Sequence, residues 1–254
     1  MPFTPSHVAA ILPLRGRMSG ALPFAALAIG SMSPDLPYYL PGVRGLSALT
    51  HTAWAVPSLD VVLGLVAWLL WRWLAPALKE LAPVAIQQRW RLPSERPRWW
   101  GVLLALAIGA ATHVLLDEFT HVGRFGATHL AVLAASYPSP LGSSWEGYRW
   151  AQYLLGAIGL GILAWVGWRT PADSVAAQPV PLARWLGWVA GISGLIGAGV
   201  SLALAGGRLV GLNAWLVQAL VGGIGASGAA IAIMAAVHTV RRNRDTPSTA
   251  GQPG

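Results

Sequence analysis

Long apolar runs alternate with short polar connections along most of this chain. A run of about 18 residues or more is long enough to cross a bilayer as a helix. Five runs reach this length, at residues 52–75, 99–116, 150–168, 184–205 and 209–238. The pattern predicts an all-α, polytopic integral membrane helical bundle with five to six transmembrane helices.

One further apolar tract, at residues 20–33, is shorter than the others. As a helix it would reach about 21 Å, against a hydrocarbon core about 30 Å thick. We expect a short N-terminal apolar helix there, either re-entrant or half-buried, with a sixth span as the alternative.

Composition supports a membrane protein. Hydrophobic residues make up 55% of the 254 residues and charged residues 10%, whereas soluble domains carry about 25% charged residues. The net charge of +8 would suggest nucleic acid for a soluble protein. Here the cations lie between apolar runs, so we expect the lipid bilayer as partner and no nucleic acid. With no cysteine, any metal must be held by nitrogen and oxygen.

The positions of the cations favour one orientation in the membrane. The loop at residues 76–98 is polar and rich in arginine. Placing this loop in the cytoplasm puts eleven Lys and Arg residues on that side and four on the outer side, with Arg15 and Arg17 unassigned, as the positive-inside rule requires. The prediction is a multi-pass protein with a cytoplasmic C-terminus.

We expect three parts along the chain. Residues 1–170 form a membrane domain with a His/Asp cluster, residues 171–240 form Gly-rich transmembrane helices, and residues 241–254 form a disordered cytoplasmic tail. In the second part, a GxxxG pair at Gly187 and Gly191 would allow close packing of helices, and with it a homo-oligomer.

Ionisable side chains interrupt the end of the second apolar run. His113, Asp117 and His121 are spaced four residues apart, so in a helix they share one face. A His and a carboxylate one turn apart can reach the same divalent ion. The spacing therefore predicts a metal site, and a hydrated helix end with local pairing is the alternative. Glu118 points elsewhere on the helix and is a candidate to support the ligands from outside.

Other candidates fall on the same predicted side of the membrane. Asp35 follows the short apolar tract in a proline-bounded turn, and His51 immediately precedes the next span. Asp60 lies inside that span, where it either supports the site or relays protons, or else pairs with an arginine or water. His7 joins the same side only if the tract at residues 20–33 does not cross.

Four short motifs follow one another in the chain: MPFTPSH at residues 1–7, IGSMSPDLPY at 29–38, THT at 50–52 and ATHVLLDEFTH at 111–121. Together they resemble a bacterial membrane family catalogued as a domain of unknown function, DUF4184, over about residues 1–170. More distantly, the same order of His, Pro-Asp, Thr-His and His-x-x-x-Asp is similar to inner-membrane metal-dependent hydrolases under LexA control.

The second resemblance implies a location in the bacterial inner (cytoplasmic) membrane. It also implies a metal site made by five residues, with His121 as an extra candidate: His7, Asp35, His51, His113 and Asp117. Two positions depart from the pattern. Pro37 stands where relatives have a second Asp, and Arg44 and Gly45 stand where they have another His. The two missing ligands argue against a two-metal centre.

The leading hypothesis is a membrane-bound metal-dependent hydrolase whose His/Asp site lies near the outer face. Mixed imidazole and carboxylate ligation suits Zn²⁺, Mn²⁺ or Fe²⁺, and such an ion activates water and polarises a phosphoryl or acyl oxygen. His121 or Asp35 is the candidate general base where it is not a ligand. The location suggests a lipid-linked phosphate or ester as substrate. The alternative is a non-enzymatic scaffold or assembly factor, or a transporter that uses the His/Asp cluster.

Overall fold

The computed structural model of the chain describes residues 4–15, 22–40, 42–92, 97–139, 143–173, 180–206, 209 and 211–245. The α-helices of these segments are α1 (Val8–Ile11), α2 (Phe24–Gly30), α3 (Leu36–Tyr39), α4 (Ser47–Thr50), α5 (Leu59–Leu81), α6 (Val84–Gln87), α7 (Trp99–Thr120), α8 (Phe125–His129), α9 (Ala131–Ala134), α10 (Gly147–Arg169), α11 (Leu186–Ala205) and α12 (Leu212–Asp245). Single turns of 3-10 helix lie at Thr4–His7, Leu12–Leu14, Ser33–Asp35, Arg44–Leu46 and Pro181–Trp185. Two strands, β1 (Ser136–Pro138) and β2 (Ser144–Glu146), pair antiparallel with Tyr137 opposite Trp145.

Among the described residues, five helices are long and apolar enough to cross a membrane: α5, α7, α10, α11 and α12. Large apolar side chains stay exposed along them, such as Leu195 at 78% and Leu204 at 77%. In a helix this apolar, such side chains are suited to contact lipid. The chain is therefore an all-α, multi-pass membrane protein, which confirms the predicted fold class.

Several helix ends differ from the ends of the apolar runs. Residues 51–58 form turns, so α5 begins at Leu59 and then passes through Pro76, where a loop was expected. α12 continues to Asp245 and thus includes the start of the segment expected to form a disordered tail. The rest of that segment, residues 246–254, lies outside the described residues. Apolar length measures the part of a helix that crosses lipid, and a helix with polar ends extends beyond it.

The described N-terminal segments pack beside long helices. α2 has seven residues and is therefore about 10 Å long, well short of a bilayer core. It lies against the middle of α7, with Gly30 facing the backbone of Leu106 and Gly109 facing the backbone of Leu27. The turn Thr4–His7 lies against Gly159 of α10. The described part of the tract at residues 20–33 is thus the short apolar helix that was predicted.

The chain divides into two compact units. The first comprises Met1–Leu69 and Glu95–Thr170, and the second Leu70–Ser94 and Pro171–Gly254. In the first unit, buried apolar side chains from α1, α2, α5 and α7 form the core around the short N-terminal helices: Ile11, Leu27, Trp68, Val102 and Leu106.

The second unit is built on the pairing of α11 with α12. Gly197 lies against Gly222, and Gln218 donates from Nε2 to the backbone oxygen of Ser201 at 3.1 Å. The GxxxG pair at Gly187 and Gly191 takes no part, because a Cβ at either position would meet no described atom within 4 Å. Close packing of small residues thus occurs on these helices, at positions other than the GxxxG pair.

Candidate metal centre

α7 supplies two neighbouring groups of the candidate centre. His113 and Asp117 are one turn apart on this helix and are 0% and 1% exposed. Nδ1 of His113 donates to the backbone oxygen of Ser31 at 2.8 Å. Ser31 can approach this closely because Gly109 of α7 leaves room for the end of α2.

His51 comes from the end of α4. Its Nδ1 donates to the backbone oxygen of Ser47 at 2.8 Å, one helical turn earlier. The preceding residue, Thr50, donates from Oγ1 to the backbone oxygen of Pro34 at 2.7 Å. This bond ties the end of α4 to the turn that carries Asp35.

Asp35 is completely buried, and Thr4 holds one side of its carboxylate. Its Oδ2 accepts a hydrogen bond from Oγ1 of Thr4 at 2.6 Å. The same hydroxyl lies 2.7 Å from the hydroxyl of Tyr39. With Oδ2 engaged by Thr4, Oδ1 of Asp35 faces His51 and His113.

Four atoms of these residues converge: Asp35 Oδ1, His51 Nε2, His113 Nε2 and Asp117 Oδ2. We call them the tetrad. His51 Nε2 lies 3.2 Å from Asp35 Oδ1 and 3.3 Å from Asp117 Oδ2. His113 Nε2 lies 3.5 Å from each of the same two oxygens. The two Nε2 atoms are 3.3 Å apart.

These separations resemble those around one small cation. Zn²⁺ binds imidazole nitrogen at about 2.0–2.1 Å and carboxylate oxygen at about 2.0–2.2 Å, so tetrahedral ligand atoms are about 3.3–3.5 Å apart. Five of the six separations in the tetrad are 3.2–3.5 Å. Each of the two carboxylate oxygens, together with the two Nε2 atoms, therefore has the spacing and the donor types of a divalent-metal site, and His51, His113 and Asp117 form one such group within 4.8 Å.

Hydrogen bonds outside the tetrad determine where the ring protons lie. A carbonyl oxygen only accepts, so the Nδ1 atoms of His51 and His113 both carry hydrogen. In the neutral rings both Nε2 atoms then present lone pairs to each other across 3.3 Å. A cation between them, either a metal ion or a proton, removes the repulsion. Metal-bound histidines are oriented in the same way, by a carbonyl at the other ring nitrogen.

The negative charge of the two buried carboxylates also favours a bound cation. Two buried carboxylates cost several kcal/mol unless they are compensated. Burial acts to raise the pKa of Asp35, but hydrogen bonding with His113 and His51 outweighs it and holds the pKa well below its usual range. Burial lowers the pKa of His51, while the carboxylates of Asp117 and Asp35 raise it, and the outcome is a pKa of about 9. Without a metal ion, a proton on His51 balances part of the carboxylate charge.

His7 lies beside the tetrad on its N-terminal side. We call the four residues of the tetrad together with His7 the cluster. Its ring stacks on His113 with the centroids 3.8 Å apart, and its Nε2 lies 3.8 Å from Asp117 Oδ1. Burial, together with His113, lowers the pKa of His7 to about 3, so the ring is neutral. Among the described residues, neither ring nitrogen of His7 has a hydrogen-bond partner. His7 therefore has a free lone pair for a metal ion, and it groups with Asp35 and His113 within 4.8 Å.

His121 stands at the edge of the cluster. α7 ends at Thr120 and the backbone of His121 is extended, so the helical face predicted for three residues is formed by His113 and Asp117 alone. His121 still reaches Asp117 from beyond the helix, with Nδ1 at 3.3 Å from Oδ1. Its side chain is 27% exposed, and its Nε2 is 3.1 Å from Nε2 of Gln152. It thus connects the buried site with the surface.

Glu118 lies outside the cluster and contacts it through Arg124. One carboxylate oxygen accepts from the backbone N–H of Phe125 at 2.9 Å, and the other from NH1 of Arg124 at 3.3 Å. NH1 of Arg124 also donates to the backbone oxygen of His51 at 2.7 Å. Glu118 therefore helps to position His51 through Arg124.

Asp60 is buried near the cluster without joining it. It is 0% exposed, and neither carboxylate oxygen has a hydrogen-bond partner in the described part of the chain. His51 and His113 act on it electrostatically. A buried carboxylate without partners costs free energy, so this position is better explained by function than by stability.

We expect Asp60→Asn to raise the free energy of unfolding by about 1 kcal/mol, because the amide has the same shape and carries no charge. Metal content should be unchanged. Thermal melts in detergent and elemental analysis check this. A loss of stability instead would show that the carboxylate makes a structural contact.

Sequence reasoning missed several groups that orient the candidate ligands. Ser31 and Ser47 act through backbone oxygens, and a carbonyl contact leaves no trace in residue type. Thr4 and Tyr39 hold the Asp35 side of the site. Thr4 lies in the opening motif at residues 1–7, which was the only signal for it.

Comparison with known proteins agrees with the motifs. A family model described as a domain of unknown function, DUF4184, matches residues 1–237. The chain belongs to the DUF4184 family. The match extends past residue 170 into the paired helices α11 and α12. No curated protein and no solved structure matches the chain.

Proposed function

We propose that this DUF4184 protein is a membrane-bound metal-dependent hydrolase with one divalent ion at the tetrad. The observation that carries the proposal is the set of separations of 3.2–3.5 Å among two Nε2 and two carboxylate atoms. The carbonyls at both Nδ1 atoms support it, because they aim lone pairs at one point.

The residues suit this chemistry. An ion bound by imidazole and carboxylate, whether Zn²⁺, Mn²⁺ or Fe²⁺, supplies a Lewis acid and lowers the pKa of coordinated water. Oδ1 of Asp117 faces His121 while Oδ2 belongs to the tetrad. His121 is therefore the group placed to take a proton and pass it to the surface. Asp35 is less suited to be a base, because Thr4 engages its second oxygen.

The membrane location suggests the class of substrate and the side of the membrane on which the His/Asp site lies. We place the protein in the bacterial inner membrane with the C-terminus in the cytoplasm, because the cations concentrate on that side. The His/Asp site then lies near the outer face. A substrate that shares the membrane is a lipid-linked phosphate or ester.

His121→Ala tests the catalytic half of the proposal. We expect the variant to keep its metal and to lose about 10²–10⁴-fold in hydrolysis rate, the range for one general base. Metal-loaded protein is assayed in detergent with bis-p-nitrophenyl phosphate and p-nitrophenyl butyrate. His129→Ala is the matched control, since His129 is exposed and stacks only on Phe125 among the ring contacts.

Two results would separate the alternatives. A wild type that binds metal and hydrolyses neither ester class would contradict the hydrolase and favour a transporter that uses the same ligands. Loss of a cellular phenotype on bulky substitution at Gly187 or Gly191, with no effect of His113→Ala, would favour a scaffold. No described residue covers Gly187 or Gly191, so such a partner, including a second copy of the chain, could pack there.

A further inference from the structure

A pocket of about 400 Å³ lies in the second unit, where α11 begins and α12 ends. Its volume falls within the range of about 300–1,000 Å³ that is usual for small-ligand sites. Arg184 and Trp185 line it from the turn Pro181–Trp185, and His238 and Arg241 line it from α12. The pocket therefore combines cationic side chains with an indole.

No described carboxylate compensates the positive charge of the two arginines. Among the side chains that the structure describes, neither Arg184 nor Arg241 forms an ion pair with a carboxylate. Glu80, the carboxylate that contacts His238, is already engaged on both oxygens. Its Oε2 lies 2.6 Å from His238 Nε2, and its Oε1 accepts from Arg242 NH1 at 2.7 Å. The pocket is thus left with an excess of positive charge.

The surroundings hold the pocket in place. Buried apolar side chains from the end of α5 and from α12 pack together beneath it, among them Leu81 and Met234, and Leu182 packs against them. The guanidinium of Arg184 lies 5.4 Å from the ring centroid of Trp185, a cation–π contact that keeps it near the pocket wall. The cationic groups therefore project from a packed base.

The location indicates the source of the ligand. The pocket sits where the candidate span Pro181–Ala205 begins and where the span Ala214–Arg244 ends. Trp185 is half-exposed there, as indoles are at the level of lipid headgroups. Basic pockets between membrane helices at this level recognise anionic headgroups, and arginine suits phosphate because it donates two parallel hydrogen bonds.

We propose that this pocket binds a phosphate group, with the headgroup of an anionic phospholipid as its source. Arg184 and Arg241 donate to the phosphate oxygens and Trp185 contacts the glycerol region. The inference is independent of the metal centre, since the pocket shares none of its residues.

The test is a binding titration of the full chain in detergent, by calorimetry, with dihexanoyl-phosphatidylglycerol, dihexanoyl-phosphatidylcholine and inorganic phosphate as separate ligands. We expect phosphatidylglycerol to bind about tenfold more tightly than phosphatidylcholine or better, since each arginine near the surface contributes measurably. The double variant Arg184→Gln/Arg241→Gln should lose that preference. Arg244→Gln, an exposed arginine outside the pocket, is the matched control and should keep it.

Each outcome decides the matter. Inorganic phosphate that binds as tightly as phosphatidylglycerol would support a phosphate site and identify a soluble ligand as its source. A preference that survives in the double variant, or that Arg244→Gln abolishes equally, would show diffuse surface attraction and overturn the proposal. Binding of neither phosphatidylglycerol nor phosphate overturns it as well. Equal melting temperatures of the ligand-free variants confirm that both are folded.

Discussion

His113→Ala is expected to weaken divalent-metal binding by more than about a hundredfold. Loss of a group that only orients a metal ligand costs about 10–100-fold, and His113 is itself a member of the tetrad. Its Nε2 makes three of the five short separations, at 3.3, 3.5 and 3.5 Å. Competition titration of Zn²⁺ with a chelator of known affinity measures the loss.

The control for this prediction comes from the same chain. His129→Ala removes an imidazole that is exposed and lies outside the cluster, so its metal affinity should match the wild type. Asp117→Ala should behave like His113→Ala. Retention of stoichiometric metal by both cluster variants, with folding checked by thermal melts, would refute the assignment of the site.

Gly109→Ala is expected to destabilise the first unit by about 3 kcal/mol, the upper end for an overpacked contact. An added Cβ would overlap the backbone oxygen of Leu27 and the backbone nitrogen of Ser31. Backbone atoms cannot rotate away as a side chain does, so α2 must move off α7. Because Ser31 orients His113 through its carbonyl, metal affinity should fall together with stability.

Gly191→Ala gives the matched comparison in another membrane helix. A Cβ at Gly191 would meet nothing within 4 Å, and alanine favours helix over glycine by about 1 kcal/mol. The melting temperature in detergent should therefore rise slightly or stay constant, with metal affinity unchanged. A Gly109→Ala protein with wild-type stability and metal affinity would show that the close contact between α2 and α7 does not control the site.

The local part of the site could be predicted from sequence. The i,i+4 spacing of His113 and Asp117 places both on one helical face, whatever surrounds the helix. Ionisable side chains are rare inside membrane helices unless they have a function. His121 shows the limit of this reasoning. Its spacing is the same, yet α7 ends one residue earlier, and the contact with Asp117 depends on an extended backbone.

The assembly of the site could not be predicted in detail. His7 reaches His113 because the turn Thr4–His7 lies against Gly159 of α10, a contact between segments far apart in the chain. Apolar periodicity indicates which helices form and carries no information on which backbone meets which. Resemblance to a family named the candidate residues, but the carbonyls of Ser31 and Ser47 emerge only from the structure.

X-ray absorption at the zinc edge tests most directly whether the tetrad binds one metal ion. Detergent-purified protein is loaded with Zn²⁺ at alkaline pH, where the proton on His51 competes least with the metal ion. The variants His129→Ala and His113→Ala are measured beside it. We predict about one equivalent of zinc, with nitrogen and oxygen ligands at about 2.0–2.2 Å and with outer-shell scattering from imidazole; His129→Ala should keep this zinc and His113→Ala should lose it. A wild type that retains no zinc, manganese or iron after loading with each would contradict the account and leave the cluster as a network of hydrogen-bonded histidines and aspartates.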